Sequence, residues 1–319
     1  MRALVPIALF ALSALPLPWL TGSGTVLNLA TMVLLFATLG QAWNLLGGMA
    51  GQFSFGHAAF FGTGAYATAI AQIRFGLDAW TGFAVAVLAA AAMGALVGFA
   101  SFRFRLRGSY FALVTLAFAE VARILANSLE ITGAGVGLLL PLAPGLDRLQ
   151  FAHKSGYYWF ALVLCVAGLV LAALVRDSRL GARLAAVREN EEAARALGVD
   201  AFAVKMQAIL LSAGLAGAVG AFYTQLFLYL DPHIAFGPQV SVEALLGPIV
   251  GGTGSLWGPV LGAAVLQALG EASRALTGGA TGANLVAYGI VLVLIVRFFP
   301  DGIIGMGRGR AADARGVTG

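Results

Sequence analysis

The side chains of this sequence that could make or break bonds are few, and their spacing does not favour such work. His57, His153 and His233 stand far apart without metal-ligand spacing. The single Cys165 lies in an apolar run, which excludes a disulfide framework and a thiolate metal cluster. Ser54 and His57, three apart, have the residue types of a nucleophile and its base, yet no nucleophile motif surrounds the serine. A phosphate-binding loop needs a lysine after glycine; Lys154 and Lys205 are the only lysines, and neither follows one. What remains is pairing chemistry. Glu120 with Arg123, and Glu271 with Arg274, each set opposite charges one helical turn apart for mutual neutralisation.

The elements that hold these residues follow from composition. Of 319 residues, 60% are hydrophobic and 10% charged, against about 45–50% apolar and 25% charged in a soluble domain. That balance excludes a soluble enzyme, a nucleic-acid module and a disordered chain. A membrane-crossing helix needs about 20 apolar residues. Such stretches read at 3–20, 26–46, 51–73, 79–102, 108–127, 157–175, 206–230, 240–251, 256–273 and 283–299. The expected fold is all-α: one polytopic transmembrane helical bundle over residues 1–319, with about eight to ten spans and Gly-rich broken or short helices. The first stretch has only Arg2 before it and more apolar segments directly after, so it reads as an uncleaved helix rather than a signal peptide. Tyr157, Tyr158 and Trp159 read as an interfacial aromatic belt, and 128–156 as an irregular loop or short surface helix.

Positive charge gives sidedness. Arg103, Arg105 and Arg107 share one loop, and Arg176, Arg179, Arg183, Arg188, Arg195 and Lys205 share another; Arg297, Arg308, Arg310 and Arg315 end the chain and Arg2 opens it. The span count puts all fourteen of these, out of nineteen basic residues, on one face, which makes that face and both termini cytoplasmic. The loop at 176–205 and the basic tail at 301–319 then lie together, and the net charge of +5 is a topology signal rather than a nucleic-acid footprint.

Two glycine-rich passages look alike. Gly47, Gly48, Gly51 and Gly56 punctuate the first, and Gly251, Gly252, Gly254 and Gly258 the second. Each sits between apolar stretches, as an internal repeat would place it, although the match needs a gap and rests mainly on glycine. Glycines with Pro248 or Pro259 at membrane depth free backbone groups, which must be satisfied inside protein or by water in a cavity. Each glycine has two readings, close helix packing or part of a pathway.

The loop at 176–205 carries its own helix signals. Asn190 can cap a short helix whose first turn holds Glu191 and Glu192; Glu191 faces Arg195 at i,i+4, and Gly198 can close it in the left-handed conformation. Asp200 caps the next helix, and Leu180, Leu184 and Val187 share a face of a preceding one. Glu192-Ala193-Ala194 with the following Gly198 resembles the Glu-Ala-Ala motif of ATP-binding-cassette importer permeases, in which this loop is a coupling helix docked in a groove of the ATPase.

Other blocks carry a wider resemblance. Gly51-Gln52-Phe53-Ser54-Phe55-Gly56-His57-Ala58-Ala59-Phe60, continuing to Gly62, Gly64, Ala65 and Tyr66, is one. Arg107-Gly108-Ser109-Tyr110-Phe111-Ala112-Leu113-Val114-Thr115-Leu116-Ala117 is another. With Ser178-Arg179-Leu180-Gly181, the passage from Gly251 to Gly262, and Pro300-Asp301-Gly302, the chain resembles the branched-chain amino-acid permease family, in its LivM-type branch, collinearly over about residues 25–305. It departs from that pattern at Thr132-Gly133-Ala134-Gly135-Val136-Gly137 and at Gly247-Pro248.

The resemblance implies a permease subunit in a bacterial plasma membrane that imports branched-chain or other apolar amino acids. Its implied partners are a second homologous permease, two cytoplasmic ATPase subunits that bind the ATP, and an extracytoplasmic substrate-binding protein. No cofactor, metal or nucleic acid belongs to this chain itself. A zwitterion needs its two charged groups matched as it crosses, which nominates Asn44, Gln52, Ser54, His57, Glu243 and Ser255 for the pathway. His57 has a second reading, as a neutral histidine fixing helix packing. Urea or short amides are alternative cargoes within the family; an ion-coupled secondary transporter and a passive pore are readings from other classes. If the loop couples to an ATPase, Glu192→Lys or Gly198→Trp abolishes uptake while membrane insertion, read by fractionation, stays intact.

Overall fold

Apolar runs without water close their backbone hydrogen bonds locally, so each long apolar stretch becomes a helix. The computed structural model describes residues 3–277 and 302–305, with the isolated positions 286, 289 and 297. The expected segment at 283–299 and the tail at 301–319 therefore lie largely outside the described residues.

The first apolar stretch is a pair, α1 (Leu4–Ala14) and α2 (Leu17–Leu20), parted where Pro16 interrupts. Next come α3 (Gly24–Asn44), which continues as a π-helical turn over Leu45–Met49, and α4 (His57–Phe75). They are followed by α5 (Ala79–Arg103), α6 (Gly108–Ser128) and α7 (Lys154–Arg176). Two short helices, α8 (Arg179–Glu189) and α9 (Glu191–Ala196), precede α10 (Ala201–Phe227). A single turn, α11 (Pro232–Ala235), then α12 (Pro238–Gly251) and α13 (Gly258–Thr277) complete the described helices. Among the described residues, six stretches are long and apolar enough to cross a membrane: Gly24–Met49, Ala79–Arg103, Gly108–Ser128, Lys154–Arg176, Ala201–Phe227 and Pro232–Gly251. Helices α4 and α13 have 19 and 20 residues, diluted by Gln72 and Arg74, and by Gln267, Glu271 and Arg274. The bundle is polytopic and all but wholly helical, as composition required.

One boundary differs from expectation. The segment expected at 51–73 starts as helix only at His57, because Ala50–Gly56 is a non-helical break in which Gly51 has φ +68°. The helix expected to follow the Asp200 cap begins at Ala201, where Asp200 accepts the Ala203 N–H at 3.1 Å.

The core centres on α10, which packs chiefly against α5, α4 and α3. Its small residues let the neighbours approach closely. A Cβ on Gly94 would stand 2.6 Å from Ala213 Cβ, and one on Gly64 would run into the Gly217 backbone. Trp43, Phe60, Phe61 and Phe222 fill the space between.

One end of the bundle gathers the basic loops. Ala3, Arg176, Arg188, the turn Thr253–Trp257 and Ile304 line one cavity there. At the opposite end the 128–156 stretch forms 3-10 turns over Glu130–Thr132 and Ala134–Val136, then a two-residue strand β1 (Leu138–Leu139). That strand pairs antiparallel with β2 (Tyr229–Leu230), Leu138 opposite Leu230. Asp78 caps α5 by accepting both the Thr81 hydroxyl and its N–H, and these bonds hold its carboxyl below the usual carboxylate range. Tyr158 corrects the aromatic-belt expectation: it turns inward, 2% exposed, and its hydroxyl donates to the Ala14 carbonyl at 2.8 Å, anchoring α1. Trp159 keeps a surface position against Trp19.

Gly64→Ala should destabilise the purified protein by about 1–3 kcal/mol through overpacking. Gly214→Ala, whose new Cβ meets only Val87 at 3.5 Å, should leave the melting temperature in detergent unchanged or slightly raised.

Candidate coupling site and glycine-rich break

In the loop between α7 and α10, side chains cap the helix starts and backbone bonds close the end of α9. Ser178 Oγ accepts the N–H groups of Leu180 and Gly181 at 3.1 and 3.3 Å and starts α8. Leu184 and Val187 then bury against the bundle. Asn190 Oδ1 accepts from the N–H groups of Glu192 and Ala193, both at 3.0 Å, and starts α9. The far end is a Schellman closure, with Val199 N–H on the Ala194 carbonyl at 3.0 Å and Gly198 N–H on Arg195 at 2.9 Å. Gly198 has φ +87°, which the missing Cβ permits.

Glu191 is the hub of this loop. Its side chain is 8% exposed and meets three cations. Arg195 Nη2 reaches Oε1 at 2.6 Å; Lys205 Nζ and Arg107 Nε reach Oε2 at 2.5 and 3.1 Å. Lys205 is itself only 3% exposed and lies 5.6 Å over the Phe102 ring. One carboxylate thus ties α9 to the first turn of α10 and to the loop before α6. The i,i+4 spacing gave away Arg195 only. Lys205 did carry a signal, since a lysine entering an apolar helix is seldom buried without a partner. Glu192 is 82% exposed and sits 3.7 Å from Arg107.

A second contact leaves the loop. Arg188 Nη1, from the last turn of α8, donates to the Gly48 carbonyl at 3.0 Å. The two glycine-rich passages meet there. Asn44 Oδ1 accepts the Gly254 N–H at 2.7 Å, and Asn44 Nδ2 donates to the Ser255 carbonyl at 2.9 Å. Ser255 Oγ donates to the Gly252 carbonyl at 2.7 Å and accepts the Gly258 N–H at 2.9 Å, starting α13. Only glycine fits at 48, where a Cβ would lie 2.6 Å from Gly254 N and against the Asn44 side chain. Gly47 lies under Trp43, and Gly251 packs on the Gly258 backbone. Backbone groups freed by the breaks therefore find partners in the side chains of Asn44, Arg188 and Ser255.

The other nominated residues lie elsewhere. Ser54 Oγ accepts the Gly56 N–H at 3.1 Å, the Ser54 carbonyl accepts Trp43 Nε1–H at 2.8 Å, and Gln52 Nε2 donates to the Ala50 carbonyl at 3.2 Å. Gly56 fits against the Thr115 backbone, and Thr115 Oγ1 accepts the Phe55 N–H at 3.1 Å. His57 is fully buried. Its Nε2 stands 2.9 Å from Ser212 Oγ, which donates onward to the Ala42 carbonyl at 2.6 Å; Nε2 therefore carries the histidine proton, and the chain ties α4, α10 and α3. Glu243 lies at the opposite end, in a cavity of about 290 Å³ with Asn28, Met32, Phe36 and Glu271, accepting from Gln239 Nε2 at 3.0 Å. Among the described residues no three His, Cys, Asp or Glu side chains group to hold a metal.

Removing the hub carboxylate strands a buried cation. Glu191→Gln should cost about 3–5 kcal/mol, read as faster hydrogen exchange across 190–205. Lys205→Met should cost less, because Arg107 and Arg195 still neutralise Glu191.

Known proteins share this arrangement of sequence. Residues 25–296 match the family described as branched-chain amino acid transport system / permease component. The chain is 32% identical to the high-affinity branched-chain amino acid transport system permease protein LivM of Escherichia coli (strain K12), over 91% of this chain and 72% of that protein. It is 25% identical to the corresponding permease protein BraD of Pseudomonas aeruginosa, over 85% of this chain and 91% of that protein. Against the permease protein LivH of Salmonella typhimurium it is 22% identical, over 87% of this chain and 94% of that protein. With a family match across most of its length, the chain belongs to the branched-chain amino acid permease family.

Proposed function

We propose that this chain is one permease subunit of an ATP-driven importer for branched-chain or other apolar amino acids in a bacterial plasma membrane. In this reading the chain is one membrane domain with its basic end and both termini in the cytoplasm. It pairs with a second, related permease; that LivM-type and LivH-type relatives both align with it supports such a pair. Two cytoplasmic ATPase subunits bind the ATP, and an extracytoplasmic protein delivers the amino acid. Positive charge gathered at one end supports the orientation.

The observation that carries the reading is the route from α9 to both helix breaks, which runs along the chain through α8 and crosses by the Arg188–Gly48 and Asn44–Gly254 hydrogen bonds. Helix α9 is capped at both ends, and Leu197 projects from its tip, 85% exposed. Exposed Leu197 at one end of α9 and the exposed carboxylate of Glu192 at the other are groups that a protein partner can contact. A push on them moves α9 and α8 together, since they pack on each other and share the Asn190 turn. Arg188 carries the displacement to Gly48, and Asn44 passes it to Gly254. ATPase closure would thereby shift the two breaks at once and tilt α3, α12 and α13, opening the path alternately to either side.

In the reconstituted transporter, Arg188→Ala should leave ATP hydrolysis near the wild-type rate. Leucine taken up per ATP should fall about tenfold, as the loss of one charge-assisted hydrogen bond implies. Unchanged stoichiometry of uptake to hydrolysis would contradict this route.

A further inference from the structure

Of the candidate spans, α5 and α6 bury the least of themselves. Their uncovered faces differ in kind. That of α5 shows Val85, Leu88, Leu96 and Phe99, an apolar surface made for lipid. That of α6 runs from Leu113 and Leu116 past Glu120 to Val121 and Ile124, and the Glu120 side chain is 49% exposed. At 1.5 Å per residue Glu120 stands about 18 Å from Gly108 and about 12 Å from Ser128. A hydrocarbon core is about 30 Å thick, so this charge sits well inside it. Ionisable groups at that depth face a bundle interior or a water-filled cavity, and Glu120 faces away from the interior of its own bundle.

We propose that the uncovered face of α6 is one wall of the substrate path, closed on its other side by the second permease, and that Glu120 with Arg123 is a mid-membrane binding station for a zwitterionic amino acid. This rests on the importer reading above. The geometry fits that ligand. Arg123 Nε donates to Glu120 Oε2 at 2.9 Å and Nη2 donates to Oε1, a two-point pair. The remaining Arg123 Nη1 donates to Nδ1 of His233 on α11 at 3.2 Å, which fixes the guanidinium. The pair is neutral, and an incoming zwitterion is neutral too. Its ammonium can replace the guanidinium on Glu120 while its carboxylate replaces Glu120 on Arg123, so charge stays balanced before, during and after passage. A lone amine or a lone acid would leave one net charge in a low-dielectric gap, a penalty that rejects both. Leu116, Val121 and Ile124 beside the pair receive an apolar side chain. Toward the basic end the face opens into an almost wholly apolar groove of about 570 Å³ between Phe53, Phe55 and Leu113.

The test uses the whole transporter in proteoliposomes, with leucine and its binding protein. The only cysteine of this chain, Cys165, is buried, so a new cysteine on α6 reads clearly as mass added to this chain by the charged thiol reagent MTSET. Ala117→Cys, one turn before Glu120, should react about tenfold faster than Leu88→Cys on the lipid face of α5, and leucine with binding protein should slow it about fivefold. Glu120→Gln should lower uptake per ATP about tenfold with assembly unchanged, an effect that a purely structural pair would not have. Ala117→Cys as inert as Leu88→Cys, or labelled without protection by leucine, overturns the station while uptake by the wild type leaves the importer reading standing. Wild-type vesicles that take up no leucine with ATP overturn both.

Discussion

A carboxylate almost wholly removed from water, held by three cations from three parts of the chain, is the constraint on which the basic end of this protein depends. Burying Glu191 and Lys205 is unfavourable for each alone, and their mutual attraction offsets it only while the geometry is kept. Helix α9 has six residues, too few to persist by propensity. The Asn190 cap, the Schellman closure and the Glu191 cluster supply what propensity does not. The loop consequently behaves as a solid protrusion on the bundle, and a solid protrusion can transmit a push.

The other end of that transmission is built from absence of side chains. Where the two glycine-rich passages meet, backbone packs on backbone, and the Asn44 amide, just before the first passage, bonds Gly254 and Ser255 of the second. Such a contact has little slack, since any Cβ at position 48 collides. It also has few bonds, so the breaks can exchange partners without melting a helix. Under the importer reading, this combination of a capped loop and sparsely bonded breaks is what alternating access requires.

Much of this was legible from residue order. The apolar stretches gave the helices, and caps at Asn190, Ser178 and Asp200 are local events that obey local rules. The likeness of the glycine-rich passages was visible too. Their contact was not, because positions 48 and 254 are brought together by packing that periodicity does not encode. Arg188 was hidden for another reason: among many arginines that set topology, nothing local marks the one that reaches a carbonyl. Tyr158 misled, since an aromatic triplet at a span end reads as interfacial until the neighbouring helix supplies a carbonyl at the right height. Of the residues nominated for polarity, Ser54 and Ser255 bond neighbouring backbone, while Asn44 bonds backbone more than 200 residues away, which no local pattern announces.

The account stands on one mechanical link between the capped loop and the paired breaks. Hydrogen exchange of the assembled transporter, compared with and without a non-hydrolysable ATP analogue, tests it most directly. The link predicts that amides at 190–198, 47–56 and 251–258 change protection together on nucleotide binding. A change confined to 190–198, with both breaks unaltered, would contradict it.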